Sequence, residues 1–356
     1  MSQYAMTTPV LPQHRLDEAA LAGLLRESLP DYAGGLELRQ FPGGFSNPTY
    51  FVRFATAGGP PRELVLRKKP AGRLLHSAHQ VDREYTVLTA LAGSGLPVPR
   101  TVLFRDDGNP VLQQAFYLME CVDGRVFQDP ALPDVPRGER GPIFHSMIDT
   151  LAKLHALDHR ALGLQGFERP EPYIERQIAR WIKQYRATQT DDIAAMETLI
   201  DWLPRHVPAD RSTTITHGDY KLGNLIIHPT ESRVVAILDW ELWTLGHPLC
   251  DLGFACLAYH IPEPPAGMAG KDPAALGLPT ERELVAAYCR RTGRSHVEHW
   301  NFYLVFNLFK LAAIVQGVYR RALDGTATSE KSLSRRRDVG ARAETAVALI
   351  DRPDPQ

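Results

Sequence analysis

Apolar and polar residues alternate from Leu36 to Phe54, where "LELRQF" and "TYFVRF" read as two strands joined by "PGGFSNP". A glycine-containing stretch, Ala57 to Pro61, leads into a third strand, "ELVLRK". The period then changes. Val81, Tyr85 and Leu88 recur at helical spacing, Ser77 and Gln80 match an S-x-x-Q capping box, and Gly93 and Gly95 end the segment. "TVLFR" and "AFYLMECV" flank the turn sequence "DDGNP" and read as two more strands.

After "DGR" at 123–125 the texture turns helical, and Phe144, Met147, Ile148, Leu151 and Leu154 form one apolar face. "YIERQIARWIKQY" and "DDIAAMETLIDWL" read as two further helices. Short β-like runs return between Thr213 and Trp240 ("LIIH", "VVAILDW"), and beyond Glu281 the chain is helical again. The expected fold class is α+β: a small β-rich N-terminal lobe, residues 1–122, and a larger, mainly helical C-terminal lobe, residues 123–356. A chain of 356 residues is long enough to give each lobe its own core.

Composition narrows the function. Lys and Arg (40) balance Asp and Glu (41), so no global field favours nucleic acid or an anionic membrane. Any anionic ligand must be gripped by a local cluster. The four cysteines, Cys121, Cys250, Cys256 and Cys289, have no C-x-x-C pair and no zinc spacing, which suits reduced thiols in the cytoplasm. The N-terminus lacks the basic and apolar regions of a signal peptide. In the most apolar stretch, residues 302–323, Asn307, Lys310, Gln316 and Arg320 interrupt the run, and each is costly in lipid. A buried helix is expected there, not a membrane span.

The chemistry concentrates in "THGDYKLGNLIIHP" followed by "VVAILDWE". His217 and Asp219 stand two apart, Asn224 follows five residues after Asp219, and Asp239 ends an apolar strand. Taken singly, such residues cap helices or make turns. As a spaced set they supply a carboxylate to orient an acceptor hydroxyl and take its proton, together with hard oxygen ligands for Mg²⁺ beside phosphates. A metallohydrolase built on His217, Asp219 and Asp239 would need further closely spaced histidines. His228 and His247 fall outside the pattern and suit surface or packing roles.

The H-G-D-x-x-x-x-N and I-L-D-W segments resemble the aminoglycoside phosphotransferase and choline kinase branch of the protein-kinase-like superfamily. The resemblance implies a bilobal protein-kinase-like fold, with ATP and Mg²⁺ as cofactors. It makes Asp219 the catalytic base, His217 a brace of the catalytic loop, and Asn224 and Asp239 the metal ligands. Asp251 in "GHPLCDLGF" matches a structural aspartate of the branch. The strand end Met119, Glu120 and Val122 resembles a hinge that pairs with adenine. Gly43, Gly44, Ser46 and Asn47 sit where a phosphate-covering loop belongs, although an ordinary hairpin turn accounts for the same residues. Glu84 resembles the helix glutamate that orients a phosphate-binding cation; read alone, it is a surface charge on an amphipathic helix.

In "LVLRKKP" three cations follow one another. Strand alternation puts Val65 and Arg67 on one face and Leu64, Leu66 and Lys68 on the other. Matched to the V-A-I-K strand of the kinase pattern, "LVLR" resembles it with Arg67 at the place of the family's usual lysine, which the alternation supports, and Lys68 and Lys69 are expected at the surface.

"VLRKKPAGRLLHSAHQVDREY", "ILDWELWTLGHPLCDLG" and "KLAAIVQGVYRRALDG" further resemble the phosphotransferase domains fused to, or encoded near, acyl-CoA dehydrogenases. That resemblance implies a hydroxylated small-molecule acceptor, a 4-hydroxyacyl-CoA or a related hydroxy acid derivative; no dehydrogenase segment is expected here, since the chain ends soon after the C-terminal lobe. A CoA thioester brings its own phosphates and calls for a basic rim, for which Arg176, Arg180, Lys183, Arg320 and Arg321 are candidates. An aminoglycoside, a polycation, would call for an acidic pocket, and Glu171, Glu175, Asp191 and Asp192 form no long run. An aminoglycoside, amino-alcohol or sugar kinase remains the alternative within the class, and a nucleotide-binding pseudokinase outside it. Association as a homodimer or with a small accessory protein is left open.

Overall fold

A computed structural model of the chain describes residues 3–42, 47–70, 80–262, 267–325, 333 and 335–354. They fall into two compact units, Met1–Val126 with Leu225–Leu242, and Phe127–Asn224 with Trp243–Gln356.

In the first unit helix α1 (Glu18–Ser28) precedes strands β1 (Glu37–Gln40), β2 (Thr49–Thr56) and β3 (Gly59–Lys68). Helix α2 (Val81–Leu91) and strands β4 (Thr101–Arg105) and β5 (Phe116–Glu120) follow. The five strands form one antiparallel sheet in the order β1-β2-β3-β5-β4. Alternation along β3 sends Leu64 and Leu66 into a core with Tyr50, Val52, Phe54 and Leu118. Helix α1 closes that core with Leu21, Leu24 and Leu25, spaced to share one helical face, and Asp17 caps its start by accepting from the Ala20 amide at 2.9 Å. The sequence pattern did not announce this helix.

Helix α2 packs against β4 and β5. Its N-cap is Gln80, with no side-chain cap; Ser77 of the expected capping box lies outside the described residues, as do Gly43, Gly44 and Ser46.

A two-stranded hairpin, Leu225–Ile227 with Val234–Ile237, joins this unit from far along the chain. Arg125 and Ile227 exchange backbone hydrogen bonds at 2.7 and 2.8 Å, and the Ile237 amide donates to the Pro97 carbonyl at 2.9 Å. The approach at Gly124 leaves no room for a side chain: a Cβ there would lie 2.4 Å from the Ile227 carbonyl oxygen.

The second unit contains α3 (Arg137–His155), α4 (Tyr173–Thr188), α5 (Ala194–Trp202), α6 (Pro248–Cys256), α7 (Pro273–Leu276), α8 (Glu281–Thr292), α9 (Trp300–Leu323) and α10 (Arg336–Ile350). A short antiparallel pair, Thr214–Thr216 with Thr244–Gly246, lies among them. Helix α9 packs against α4, α5, α6 and α10. It is long and apolar enough to cross a membrane, but 72% of its most apolar window is buried inside the protein. Phe306 and Phe309 are fully buried, so truncating either to alanine should cost about 3–5 kcal/mol.

The buried polar residues that interrupt α9 are cross-links. Asn307 donates to the Cys250 carbonyl at 2.8 Å, and Gln316 donates to the Thr188 carbonyl at 2.6 Å. Gly253 of α6 permits the close helix crossing, since a Cβ there would meet Tyr303 at 3.1 Å.

Candidate active site

Two clusters of polar side chains, one in each unit, contain Asn47, Arg67, Glu84 and Asp239 in the first and His217, Asp219 and Asn224 in the second. In the first unit, β3 presents Arg67 on the face opposite Leu64 and Leu66, as alternation requires. Its Nε lies 2.7 Å from Glu84 Oε2, and Nη2 donates to Asp239 Oδ1 at 2.7 Å, with Glu241 Oε2 3.8 Å away. The Nε contact is out of line for a hydrogen bond and acts as a charge–charge contact. Burial works against the guanidinium charge, but Glu84 and Asp239 more than offset it and hold the group above its ordinary pKa.

Glu84 is 1% exposed, so the surface reading suggested by its helix alone does not hold. Its Oε1 accepts from Asn47 Nδ2 at 2.9 Å and its Oε2 from the Tyr117 hydroxyl at 3.0 Å. Burial pushes the Glu84 carboxyl up, and Arg67 pulls against that shift. Asn47 is itself buried, with its amide engaged by Glu84.

The other two cations of "LVLRKKP" turn elsewhere. Lys68 Nζ donates to Gln114 Oε1 at 2.5 Å and Lys69 Nζ to Asp107 Oδ2 at 2.6 Å. Lys68 is half-buried rather than at the surface, and burial lowers its pKa.

Asp239 follows the strand Val234–Ile237 with φ +64°, a left-handed conformation that aspartate tolerates better than most residues. Trp240 is buried behind it, its Nε1 donating to the Ile237 carbonyl at 3.0 Å, while the Asp239 side chain stays one-third exposed. Met119 is buried near the end of β5, Glu120 is exposed, and Val122 lies just beyond in a half-buried segment.

In the second unit, the strand Thr214–Thr216 delivers His217, Gly218 and Asp219 into a loop. Asp251, buried on α6, accepts from the His217 amide at 2.5 Å and from the Gly218 amide at 2.8 Å. Behind it, His155 Nε2 is 3.5 Å from Asp251 Oδ2, and His155 Nδ1 is 2.7 Å from the Tyr288 hydroxyl. Burial opposes the Asp251 charge, but His155 and the loop amides hold its carboxyl below the ordinary value. The fully buried His217 ring accepts from the Asp219 amide through Nδ1 at 3.2 Å. The Tyr220 hydroxyl donates to the Met147 carbonyl at 2.8 Å.

Asn224 Nδ2 donates to the Asp219 carbonyl at 2.9 Å and to its Oδ2 at 2.8 Å. Lys221 Nζ lies 2.8 Å from the same Oδ2. Sequence reasoning passed over Lys221, although its place two residues after Asp219 was a usable signal. Asn224 and Asp239 are hard oxygen donors of the kind Mg²⁺ prefers. Among the described residues no group of three or more His, Cys, Asp and Glu could hold a metal ion.

Residues 37–290 match the phosphotransferase enzyme family. The chain belongs to that family. Its fold is the kinase-like fold of aminoglycoside phosphotransferases: a structure from Ralstonia eutropha JMP134 assigned to those enzymes is 42% identical with a TM-score of 0.83, covering 94% of this chain and 98% of that one. The aminoglycoside phosphotransferase APH(4)-Ia, solved as a ternary complex with ADP and hygromycin B, shares the fold at 15% identity, with a TM-score of 0.62 over 94% of this chain and 100% of that one. Acyl-CoA dehydrogenase family member 10 of Mus musculus is 44% identical over 91% of this chain, and family member 11 of Homo sapiens is 41% identical over 96%. The chain spans 30% and 44% of those two proteins, less than half of either.

Other members of the expected site are more dispersed. Arg176 lies over the Tyr173 ring, Arg180 over Trp181, and Arg320 pairs with Asp324 at 3.2 Å. Glu175 pairs with Arg211 at 2.9 Å and Asp191 with Arg336 at 2.5 Å. A cleft of about 480 Å³ in the same unit is lined by Arg160, Arg169, Arg176 and Arg211 interleaved with Glu168, Glu171, Glu175 and Asp210. Neither Asp219 nor Asn224 borders it.

Proposed function

We propose that this phosphotransferase moves the γ-phosphoryl group of ATP to a hydroxyl of a small molecule, a 4-hydroxyacyl-CoA or a related hydroxy acid derivative. The observation that carries the reading is the setting of Asp219. Its carboxylate is oriented by Asn224 and Lys221 at the end of a loop whose amides are fixed by buried Asp251. A binding protein without turnover would have no need of such an arrangement.

In this reading Asp219 accepts a hydrogen bond from the acceptor hydroxyl and takes its proton as the acceptor oxygen bonds to the γ-phosphorus. The bond from that phosphorus to the bridging oxygen breaks, and ADP leaves with the electron pair. His217 braces the loop through its contact with the Asp219 amide. Arg67, oriented by Glu84, sets a forked positive charge against the nucleotide phosphates. The segment Met119 to Val122 pairs with adenine. Asn224 and Asp239 would hold Mg²⁺, which when bound neutralises phosphate oxygens. Residues 1–122 serve the nucleotide and 123–356 the acceptor.

Two observations support the acceptor class. The relatives named as acyl-CoA dehydrogenases are 41–44% identical over nearly the whole chain. In addition, Glu175 and Asp191 are neutralised by arginines, which weakens the case for a polycation. An aminoglycoside acceptor is the second reading, favoured by the 42% identical structure assigned to that class.

The test is Mg²⁺-dependent ADP release and phosphorylated product against hydroxyacyl-CoAs, aminoglycosides and sugars. Turnover confined to hydroxyacyl-CoAs is expected. Turnover of an aminoglycoside alone would overturn the acceptor assignment, and nucleotide binding without any transfer would favour a pseudokinase.

A further inference from the structure

Gly218 is gripped at both ends. Its amide donates to Asp251 Oδ1 at 2.8 Å, and its carbonyl accepts from Lys310 Nζ at 2.5 Å. The residue has φ +82°, a conformation open to glycine without strain, and the next residue is Asp219. Lys310 comes from the middle of α9, where it is 7% exposed and its ammonium lies 5.0 Å from the centre of the Phe254 ring. Helix α9 reaches the loop because Gly253 lets it lie closely against α6, the helix that carries Asp251.

A lysine in such a place is expensive. Burial pulls its pKa below the ordinary value, and Arg180 on α4 pushes the same way. Asp219 in the loop and Asp251 and Cys250 on α6 act in the opposite sense. Methionine would fill the same volume and pack against Phe254 without that cost. What it could not do is donate to the Gly218 carbonyl.

We propose that Lys310 is a positioning residue for phosphoryl transfer: it clamps the Gly218 carbonyl against the pull of Asp251 and so fixes the aim of the Asp219 carboxylate. The inference rests on Asp219 being the catalytic base. Its physical content is geometric. A misplacement of about 1 Å at a reacting group costs about 10²-fold in rate, so a clamp one residue away from the base acts on turnover rather than on nucleotide affinity.

Lys310→Met and Gln316→Leu are compared in the full chain. Gln316 is the matched control, because it is a buried polar tie on the same helix that bonds to Thr188, away from the loop. Both variants should lower the melting temperature. Lys310→Met alone should lower kcat by about 10- to 100-fold with KM for ATP within about twofold, and should speed amide hydrogen exchange in the peptide spanning 217–224. A kcat change no larger than that of Gln316→Leu, together with unchanged exchange in that peptide, would overturn the proposal. The exchange measurement uses the free protein. If the wild type transfers phosphate to no acceptor, the functional reading fails, and the loop exchange still decides whether Lys310 holds Gly218. Should Lys310→Met be too unstable to purify, Lys310→Leu, which likewise removes the donor, serves in its place with the same criteria.

Discussion

Arg67 and Asp239 meet through one guanidinium nitrogen and one carboxylate oxygen, 2.7 Å apart, while the Arg67 Nε faces Glu84 at the same distance. A single side chain thus ties β3, α2 and the turn after Ile237 together within the first unit. A lysine could not do this. Its ammonium is one point charge, whereas the guanidinium spreads its charge over nitrogens that face two carboxylates at once.

Replacement of Arg67 should therefore be felt at the nucleotide. Arg67→Ala is expected to raise KM for ATP or lower kcat by about tenfold or more, and Lys68→Ala to change either by no more than about twofold. Steady-state kinetics with ATP as the varied substrate separates the two. Equal effects would mean that the cation of β3 has been wrongly identified.

The Arg67–Glu84 pair also carries a stability prediction. Glu84→Gln leaves the Arg67 charge short of its most deeply buried partner and should cost about 3 kcal/mol in urea or guanidinium unfolding. The double variant Arg67→Met, Glu84→Gln, which keeps a side-chain acceptor beside Asn47 and Tyr117, should recover part of that loss, because the Arg67 charge is then no longer left buried without Glu84. A double variant less stable than Glu84→Gln would count against an ion-pair origin.

Much of this was legible in the sequence, and the exceptions share a cause. The face of β3 that carries Arg67 follows from a period of two, and the spacing of His217, Asp219 and Asn224 is local, so both could be read directly. Glu84 could not be placed from its helix alone. Its burial depends on Asn47 and Tyr117, 37 and 33 residues away in the chain, which converge on its two oxygens. Lys310 looked like a polar break in an apolar helix, and its role emerges only once α9 lies beside the loop 92 residues earlier. The grouping of 225–242 with the first unit rests on pairings to Arg125 and Pro97 that no window of sequence contains.

His247 gives a pH prediction of definite sign. Its ring is buried, stacked on Tyr303 with centroids 5.3 Å apart, and Nδ1 accepts from the Leu249 amide at 3.3 Å. Nε2 stands 3.5 Å from Asp210 Oδ2, too loose a contact to offset burial, and the pKa falls from 6.5 to about 4. Between those values the unfolded chain binds a proton that the folded one refuses, so stability falls as the pH is lowered from about 6.5 to about 4. The contribution is about 3 kcal/mol across that window. His247→Asn, which keeps a capping side chain, should flatten the decline in urea titrations at pH 6.5, 5.5 and 4.5. An unchanged slope would show that other groups govern it.

The account stands on Asp219 as the base of phosphoryl transfer. The direct measurement is transfer from γ-labelled ATP to the preferred acceptor by the wild type and by Asp219→Asn, with ADP affinity determined in parallel. Loss of about 10³-fold in kcat with ADP affinity within about threefold is the predicted result. An Asp219→Asn enzyme that keeps more than about a tenth of wild-type kcat would contradict the assignment.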